Sequence, residues 1–356
     1  MLPGRILVYA GRGSSHSWTW TADLLEARGA SDCEFVDAEG LVRGIGDGAS
    51  LVVVSGGDGF EIAAALAPRA FKAIERHVRQ GGMYLGACAG AYLPLPSRME
   101  PFDRFNLSST RIRNIGELGE VPAHSPREGV RYGSCSIIHP FRGEVEVGDG
   151  AGAFRAPVYG GPVFKEPEDD RVVLRYMSFT QRTILQTDRR RAEEMVMGAP
   201  AVVSCRVGDG TMVLAGPHLE HPDYPEANGF LTRIIQVPCV NRPRPAPSQR
   251  GGAASELDRP LADLKVAVLG MERESFLVGA KLWDGGRMLE LAGAVGKRRS
   301  SLGRDEARHV AELLDRAREE LLSQGPAMAA DTDSAPGLLV EAARLCANSH
   351  FRALRG

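Results

Sequence analysis

The sequence predicts an α/β fold: a doubly wound, mostly parallel sheet with a β-rich insertion, followed by a C-terminal α-helical extension. Three observations carry this. Short apolar runs near the start alternate with stretches of helical periodicity, as in a parallel sheet covered on both faces. Glycines cluster directly after those runs, where strands pass into loops. Past residue 257, apolar residues recur at helical spacing.

Taken in order, residues 5–10 are an apolar run ending in Gly11 and Gly13, which reads as a buried strand. Residues 18–28 read as a helix and 33–36 as a second strand. Residues 51–55 (Leu-Val-Val-Val-Ser) form the clearest buried strand, because β-branched residues follow one another without polar alternation. Residues 60–80 read as a helix broken near Pro68 and ended by Gly81-Gly82, and residues 83–86 as a fourth strand. The stretch 94–165 is rich in Gly, Pro, Ser and Arg and reads as a β-rich insertion, with strand-like pieces at 136–138 and 143–147. Strand signals return at 172–177, 201–207 and 212–215, the last two joined by a Gly208-Asp209-Gly210 turn. Residues 226–236 read as a helix. This makes residues 1–240 one α/β domain. Residues 241–257, rich in Pro, Arg and Gly, read as a linker. Residues 258–356 read as a helical extension, with helices at 258–282, 305–323 and 336–349. In the second of these, Val310, Leu313, Leu314, Ala317 and Leu321 share one face.

Composition narrows the function classes. The 356 residues carry 43 Lys+Arg against 45 Asp+Glu, a formal net charge of −2 that argues against a general nucleic-acid binder. No apolar run reaches the length of a membrane span, and the start reads as a strand and not a signal peptide. The six cysteines (33, 88, 135, 205, 239 and 346) are scattered, with no Cys-x-x-Cys pair, so neither a metal site nor a redox dithiol is expected. Free thiols fit a reducing compartment, and a cytoplasmic location is expected.

Three glycine-flanked spots follow strands, where open parallel sheets bind ligands. The first is Ser55-Gly56-Gly57-Asp58-Gly59. The second is Gly86-Ala-Cys88-Ala-Gly90, the Gly-x-Cys-x-Gly form of a nucleophile elbow. There the helix after Cys88 would favour thiolate, and the Ala89 amide would face a developing oxyanion, with the Gly57 region as second donor. A buried structural cysteine at a tight turn is the alternative. The third spot is Gly216-Pro-His218-Leu-Glu220, in which an extended segment points His218 and Glu220 the same way. A carboxylate beside an imidazole fixes its tautomer, so Cys88, His218 and Glu220 are the parts of an acyl-transfer site. His16, Arg98, Glu100 and the Tyr159-Gly160-Gly161 turn are weaker candidates for lining that site, and His221 reads as spare.

The ordered set Ser-Gly-Gly-Asp-Gly, Gly-Ala-Cys-Ala-Gly-Ala-Tyr and Gly-Pro-His-Leu-Glu resembles the class I glutamine amidotransferase-like superfamily. Within it, the sequence is most similar to the N-terminal domain family of biotin-protein ligase, over about residues 5–237. The resemblance implies a flavodoxin-like sheet and a Cys-His-Glu triad: Cys88 as nucleophile, His218 as base and then acid, and Glu220 as orienter. It also implies Gly57 and Ala89 as oxyanion donors, with Gly56, Asp58, Tyr92, Glu100, Tyr159, Gly160 and Gly161 around the substrate. Amidotransferases commonly carry Gln four residues after the nucleophile, where this sequence has Tyr92. No synthase or biotin-ligase catalytic domain is recognisable in residues 241–356. The expected function is a cysteine-dependent amidohydrolase or amidotransferase-like protein acting on a small-molecule amide through a thioester, without a cofactor. The alternative is a catalytically silent binding or regulatory module. A peptidase is the weaker third reading, because that branch places His directly after the nucleophile. The C-terminal helices, whose amphipathic faces need burial, are expected to pack on the core or to serve as the docking surface of a second copy or a partner protein; nucleic acid and membrane are not expected partners.

Overall fold

The computed structural model describes residues 4–113, 141–185, 187–237, 254–271, 275–279, 281–324, 327–328 and 334–355. A nine-stranded sheet runs in the order β2-β1-β3-β4-β9-β8-β7-β5-β6. Its parallel half is β1 (Ile6–Tyr9), β2 (Cys33–Val36), β3 (Leu51–Val54), β4 (Met83–Ala87) and β9 (Gly210–Ala215). From β9 outward the pairing turns antiparallel through β8 (Pro200–Val207), β7 (Arg171–Leu185), β5 (Phe141–Gly148) and β6 (Ala153–Val158).

Side-chain alternation explains the two-faced burial. Ile6, Val8, Val53, Leu85 and Val213 face one core, while Leu7, Tyr9, Val52, Val54, Tyr84 and Leu214 face the other. The second core is covered by α2 (Ala38–Gly46), α3 (Gly59–Leu66), α4 (Arg69–Arg79) and the short α5 (Ala89–Tyr92). Pro68 divides α3 from α4, as the sequence predicts. The first core is covered by α1 (Trp18–Ala27), α6 (Arg189–Val196) and α7 (Pro225–Ile234). The β8–β9 turn falls at Gly208-Asp209, with Val207 paired to Gly210. The piece predicted at 143–147 lies within β5. The one predicted at 136–138, and most of the linker, lie outside the described residues.

The C-terminal region differs from the expectation in two places. The helix predicted over 258–282 stops at Gly270 (α8, Asp258–Gly270), and the hairpin β10 (Ser275–Val278) and β11 (Lys281–Asp284) follows it. Gly279, at φ 63°, opens that turn to the backbone. β10 also pairs with the two-residue β12 (Ala327–Met328), so the extension is not purely helical. A helix not foreseen, α9 (Gly285–Arg298), begins at the Gly285-Gly286 pair, which reads as a breaker. Its start is fixed by Asp284, whose side chain accepts from the Arg287 amide at 3.0 Å. The long helices α10 (Arg304–Gln324) and α11 (Ala335–Arg355) complete the region.

The C-terminal helices share the first core: Leu264, Val295, Leu314 and Leu339 belong to the same buried cluster as Val8 and Val53. Helix α11 also covers the outer edge of β2. The Asn348 side chain accepts from the Phe35 amide and donates to the Phe35 carbonyl, both at 2.8 Å, standing where another strand would pair. Phe351 packs on Phe35 at 5.2 Å between ring centroids. No helix among the described residues is long and apolar enough to cross a membrane.

Candidate active site

Cys88 ends β4 and begins α5 with φ 52° and ψ −110°, a region of backbone space that side-chain-bearing residues rarely enter. The flanking glycines are forced by close approach. A Cβ on Gly86 would stand 2.5 Å from the Gly90 carbonyl oxygen, and one on Gly90 would stand 1.9 Å from that of Val54. The turn is held by the Cys88 amide donating to Ala215 (2.9 Å), the Gly90 amide to Ser55 (3.2 Å) and the Tyr84 hydroxyl to Gly90 (2.7 Å). Sequence spacing, strand order and close packing thus converge on one direction for the thiol.

β9 ends one strand away from β4. The segment after it bends and turns and is not the extended stretch that the sequence predicts: the His221 amide donates to the His218 carbonyl at 3.3 Å, and the His218 amide to the Pro157 carbonyl at 2.9 Å. His218 Nδ1 lies 2.7 Å from Glu220 Oε1, and both side chains are buried. His218 also lies close enough to Cys88 for each to shift the other's titration. The Ser55 hydroxyl donates to Glu220 Oε1 at 3.0 Å, and the Ser17 hydroxyl accepts from the Gly56 amide at 3.0 Å. The fold thus brings Cys88, His218 and Glu220 into one neighbourhood, with the His218–Glu220 pair hydrogen-bonded, although Cys88 and His218 are far apart in sequence.

Burial alone would push the Cys88 thiol up, but the charge and hydrogen bond of His218 outweigh it and hold it below its ordinary value. Burial would likewise lower His218, and the Glu220 and Cys88 charges together raise it above its ordinary value. Glu220 is pushed up by burial and brought down further by His218 and Ser55. Both shifts run in the direction that favours a thiolate beside an imidazolium. The other described cysteines behave differently: burial raises Cys33, Cys205 and Cys346 to about 12 each.

The remaining predicted residues divide. Ser14 and Gly57 form an isolated bridge closed by their neighbours: the Ser15 amide donates to Gly56 at 3.0 Å and the Asp58 amide to Gly13 at 2.8 Å. The bridge's hydrogen bonds thus bypass the Gly57 amide. A Cβ on Gly56 would stand 2.9 Å from His218 Cε1, so that glycine admits the imidazole. Tyr159 lies 5.6 Å from the His218 ring, between centroids. The Tyr92 hydroxyl donates to the Gly160 carbonyl at 3.0 Å, tying the elbow helix to the Tyr159-Gly160-Gly161 turn. Gly161 is required by contact, since its Cβ would meet the Gly216 carbonyl oxygen at 1.9 Å. Asp58 is buried and caps α3, accepting from the Phe60 amide at 3.0 Å. Glu100 is exposed, and its carboxylate pairs with Arg104 at the surface.

Several residues around the site escape motif reading, and His16 reads only as a weak candidate. Trp20 meets His218 edge-on at 5.3 Å and His221 at 4.3 Å, and its indole donates to Glu290 Oε2 at 2.8 Å. His16 lies 3.8 Å from Glu290 and 4.9 Å from the Trp20 ring, and burial together with nearby cations keeps it neutral. Lys281 lies within electrostatic reach of Cys88 and Asp58. Glu290 and Lys281 belong to the C-terminal region and share no spacing with the elbow. Ser17 has a faint signal in the serine-rich loop after β1. Among the described residues, no cluster of three or more His, Cys, Asp or Glu could hold a metal ion.

Comparison with known proteins agrees with the resemblance that the motifs carry. A protein of Chlamydia muridarum (strain MoPn / Nigg), described only as uncharacterized, is 27% identical over 228 residues, covering 61% of this chain and 80% of its own. Among solved structures, a protein from Thermoplasma acidophilum, described as a candidate component of GMP synthase, is 14% identical, with a TM-score of 0.37 over 67% of this chain and 95% of its own. A ThuA-like protein from Bacteroides uniformis is 12% identical, with a TM-score of 0.39 over 66% of this chain and 91% of its own. The GH42 beta-galactosidase Gan42B is 11% identical with a TM-score of 0.38, and this chain spans only 30% of its length. Residues 5–103, which hold β1 to β4 and Cys88, match the family described as Biotin-protein ligase, N terminal, the family that the motifs resemble.

Proposed function

We propose that the protein is a cysteine-dependent amidohydrolase of the glutamine amidotransferase-like type, acting on a small amide. The observation that carries this is the buried His218–Glu220 hydrogen bond at 2.7 Å, with His218 in electrostatic reach of Cys88 on its strained strand-to-helix turn. Burial raises the thiols of Cys33, Cys205 and Cys346, whereas that of Cys88 is lowered.

In this reading the Cys88 thiolate attacks the amide carbonyl carbon and forms a C–S bond. The carbonyl oxygen takes up negative charge, and the Gly57 and Ala89 amides are the proposed donors to it. His218, already protonated, gives its proton to the nitrogen, the C–N bond breaks, and ammonia or an amine leaves. Water then gives a proton to His218 and its oxygen to the thioester. The acid and the Cys88 thiolate are released, so atoms and protons balance. Glu220 keeps Nδ1 of His218 in its donating tautomer throughout, and Ser55 holds Glu220 in place.

Tyr92 shapes the substrate side. The position that carries Gln in many amidotransferases here donates its hydroxyl to Gly160, leaving no side-chain amide to grip glutamine there. A small amide other than glutamine is therefore the proposed substrate class. The test is the rate of iodoacetamide alkylation of Cys88 between pH 5 and 9, read by peptide mass spectrometry against the other cysteines, together with ammonia release from a panel of small amides. Selective alkylation at pH 6 and ammonia release lost in Cys88→Ala support the reading. An ordinary thiol profile, or turnover that survives Cys88→Ala, overturns it.

A further inference from the structure

A cavity of about 300 Å³ lies between the carboxyl ends of β1 and β3 and the C-terminal region. This is where the order of the sheet reverses: β1 pairs with β2 on one side and β3 on the other. The connections after β1 and β3 diverge there, and such crevices are where open α/β sheets hold ligands. The volume stands at the small end of the range for small-molecule sites. One wall is the loop 10–14 with Asp58; the other is apolar, built by Trp283, Leu313 and Leu338.

The charged groups lining the cavity are unequally served. Arg12 pairs with Glu61 at 2.7 Å, Arg344 lies 3.6 Å from Asp37, and Asp58 caps α3. Lys281 also lines the cavity, yet among the described residues it has no hydrogen bond and no ion pair. Its ammonium rests against the Trp283 ring, 5.1 Å from the centroid. Lys281 is half-buried, and burial and the neighbouring Arg287 lower its pKa to about 7. Cys88, Asp58 and Asp284 act in the opposite direction and do not offset this.

We propose that this cavity binds a small organic carboxylate with a flat apolar body. Its anionic end pairs with Lys281, and its body lies along Trp283, Leu313 and Leu338. The site does not depend on turnover at Cys88, and none of its apolar wall comes from the part of the chain that matches the biotin-protein ligase family.

Calorimetry on the full chain tests this with phenylacetate as the probe and 2-phenylethanol as its neutral counterpart. Phenylacetate is expected to bind at least about tenfold more tightly. Lys281→Met should remove that preference, Lys281→Arg should keep it, and Cys88→Ala should leave it unchanged. Equal binding of the two probes, absence of binding by phenylacetate at millimolar concentration, or unaltered preference in Lys281→Met overturns the proposal. The comparison of the two probes on the unmodified chain needs no variant to fold. Because binding is read without catalysis, an inactive triad and an empty cavity give different results. The same titration followed by iodoacetamide identifies the source of the anion. Slowed alkylation of Cys88 marks the cavity as the far end of the amide site; an unchanged rate marks a separate ligand.

Discussion

Cys88, His218 and Glu220 stand on strand ends where close backbone contacts restrict the side chains allowed nearby. Lys281, Arg287 and Glu290 reach the same neighbourhood on a hairpin and a helix held by polar contacts. The elbow is set by Cβ-sized clearances, such as 1.9 Å at Gly90, that act between α5 and the strand β3 it packs on. The C-terminal region is docked by pairs such as Trp20 with Glu290 and Asn348 with Phe35, made across most of the length of the chain. The comparison separates two kinds of site residue. One kind is written into local spacing; the other is delivered by tertiary docking and leaves no local trace.

The largest expected effect lies on the sheet side. His218→Ala removes both the general base and the positive charge that holds the Cys88 thiol down. On the proposed reading, amide turnover should fall about 10⁴-fold, and alkylation of Cys88 should shift to the pH range of an ordinary thiol. A steady-state assay and the alkylation profile check this together. If turnover falls while the profile stays put, His218 acts only as base, and the thiolate is held by other groups, Lys281 foremost.

Next comes the elbow. Gly90→Ala should cost about 3 kcal/mol or more, because the new methyl group meets the Val54 carbonyl and neither α5 nor β3 can yield. Urea denaturation measures it. Gly286→Ala provides the contrast from the docked region. The nearest atom to its Cβ is Asp284 Oδ1 at 3.3 Å, the end of a side chain that can adjust, and the cost should be far smaller.

This contrast also explains what is legible in the sequence. Val52 and Val54 announce a buried strand because both faces of the sheet are covered. Gly86 and Gly90 announce the elbow because nothing larger fits. The hairpin at 275–284 reads partly as helix because apolar residues there are spaced ambiguously, and pairing with β12, far along the chain, decides the outcome. Helix α9 escapes sequence reading because its Gly285-Gly286 start depends on a capping carboxylate that propensity alone does not weigh. Glu100 reads as a site residue because it follows the elbow closely in sequence, and in the structure it is exposed and paired with Arg104.

Arg298 tests the docking itself. Its buried guanidinium on α9 pairs with Asp23 and Glu26 on α1, with Glu26 at 2.9 Å. Arg298→Met should cost about 2 kcal/mol, less than a fully buried pair would, because both carboxylates remain partly exposed. Acid should act on the same joint. Burial pushes Glu26 up, but His350, Arg298 and Lys297 bring it down to about 2 from an ordinary 4.5. A carboxyl depressed in the folded state contributes stability above its unfolded value and loses it as pH falls from about 4.5 toward 2. Hydrogen exchange in that window should therefore show α9 loosening before β3 and β4. Simultaneous loosening would mean that the shared apolar core, and not the ion pairs, holds the two regions together.

The smallest effects separate the two kinds of site residue most sharply, because they set a glutamate near the elbow in sequence against one remote from it. Glu290→Ala removes the acceptor of the Trp20 indole, worth about 1 kcal/mol. Since Trp20 also meets His218 edge-on at 5.3 Å, a looser ring should change the alkylation rate of Cys88 by a few-fold. Glu100→Ala should leave stability within about 0.5 kcal/mol and the alkylation rate unchanged, because its carboxylate is exposed and paired with Arg104 at the surface. The reverse ranking would mean that the segment after α5 closes on the site in solution and that proximity in sequence is the better guide. The expected ranking would make the docked C-terminal region part of the active site: the sheet supplies the nucleophile, and the region packed over it supplies its surroundings.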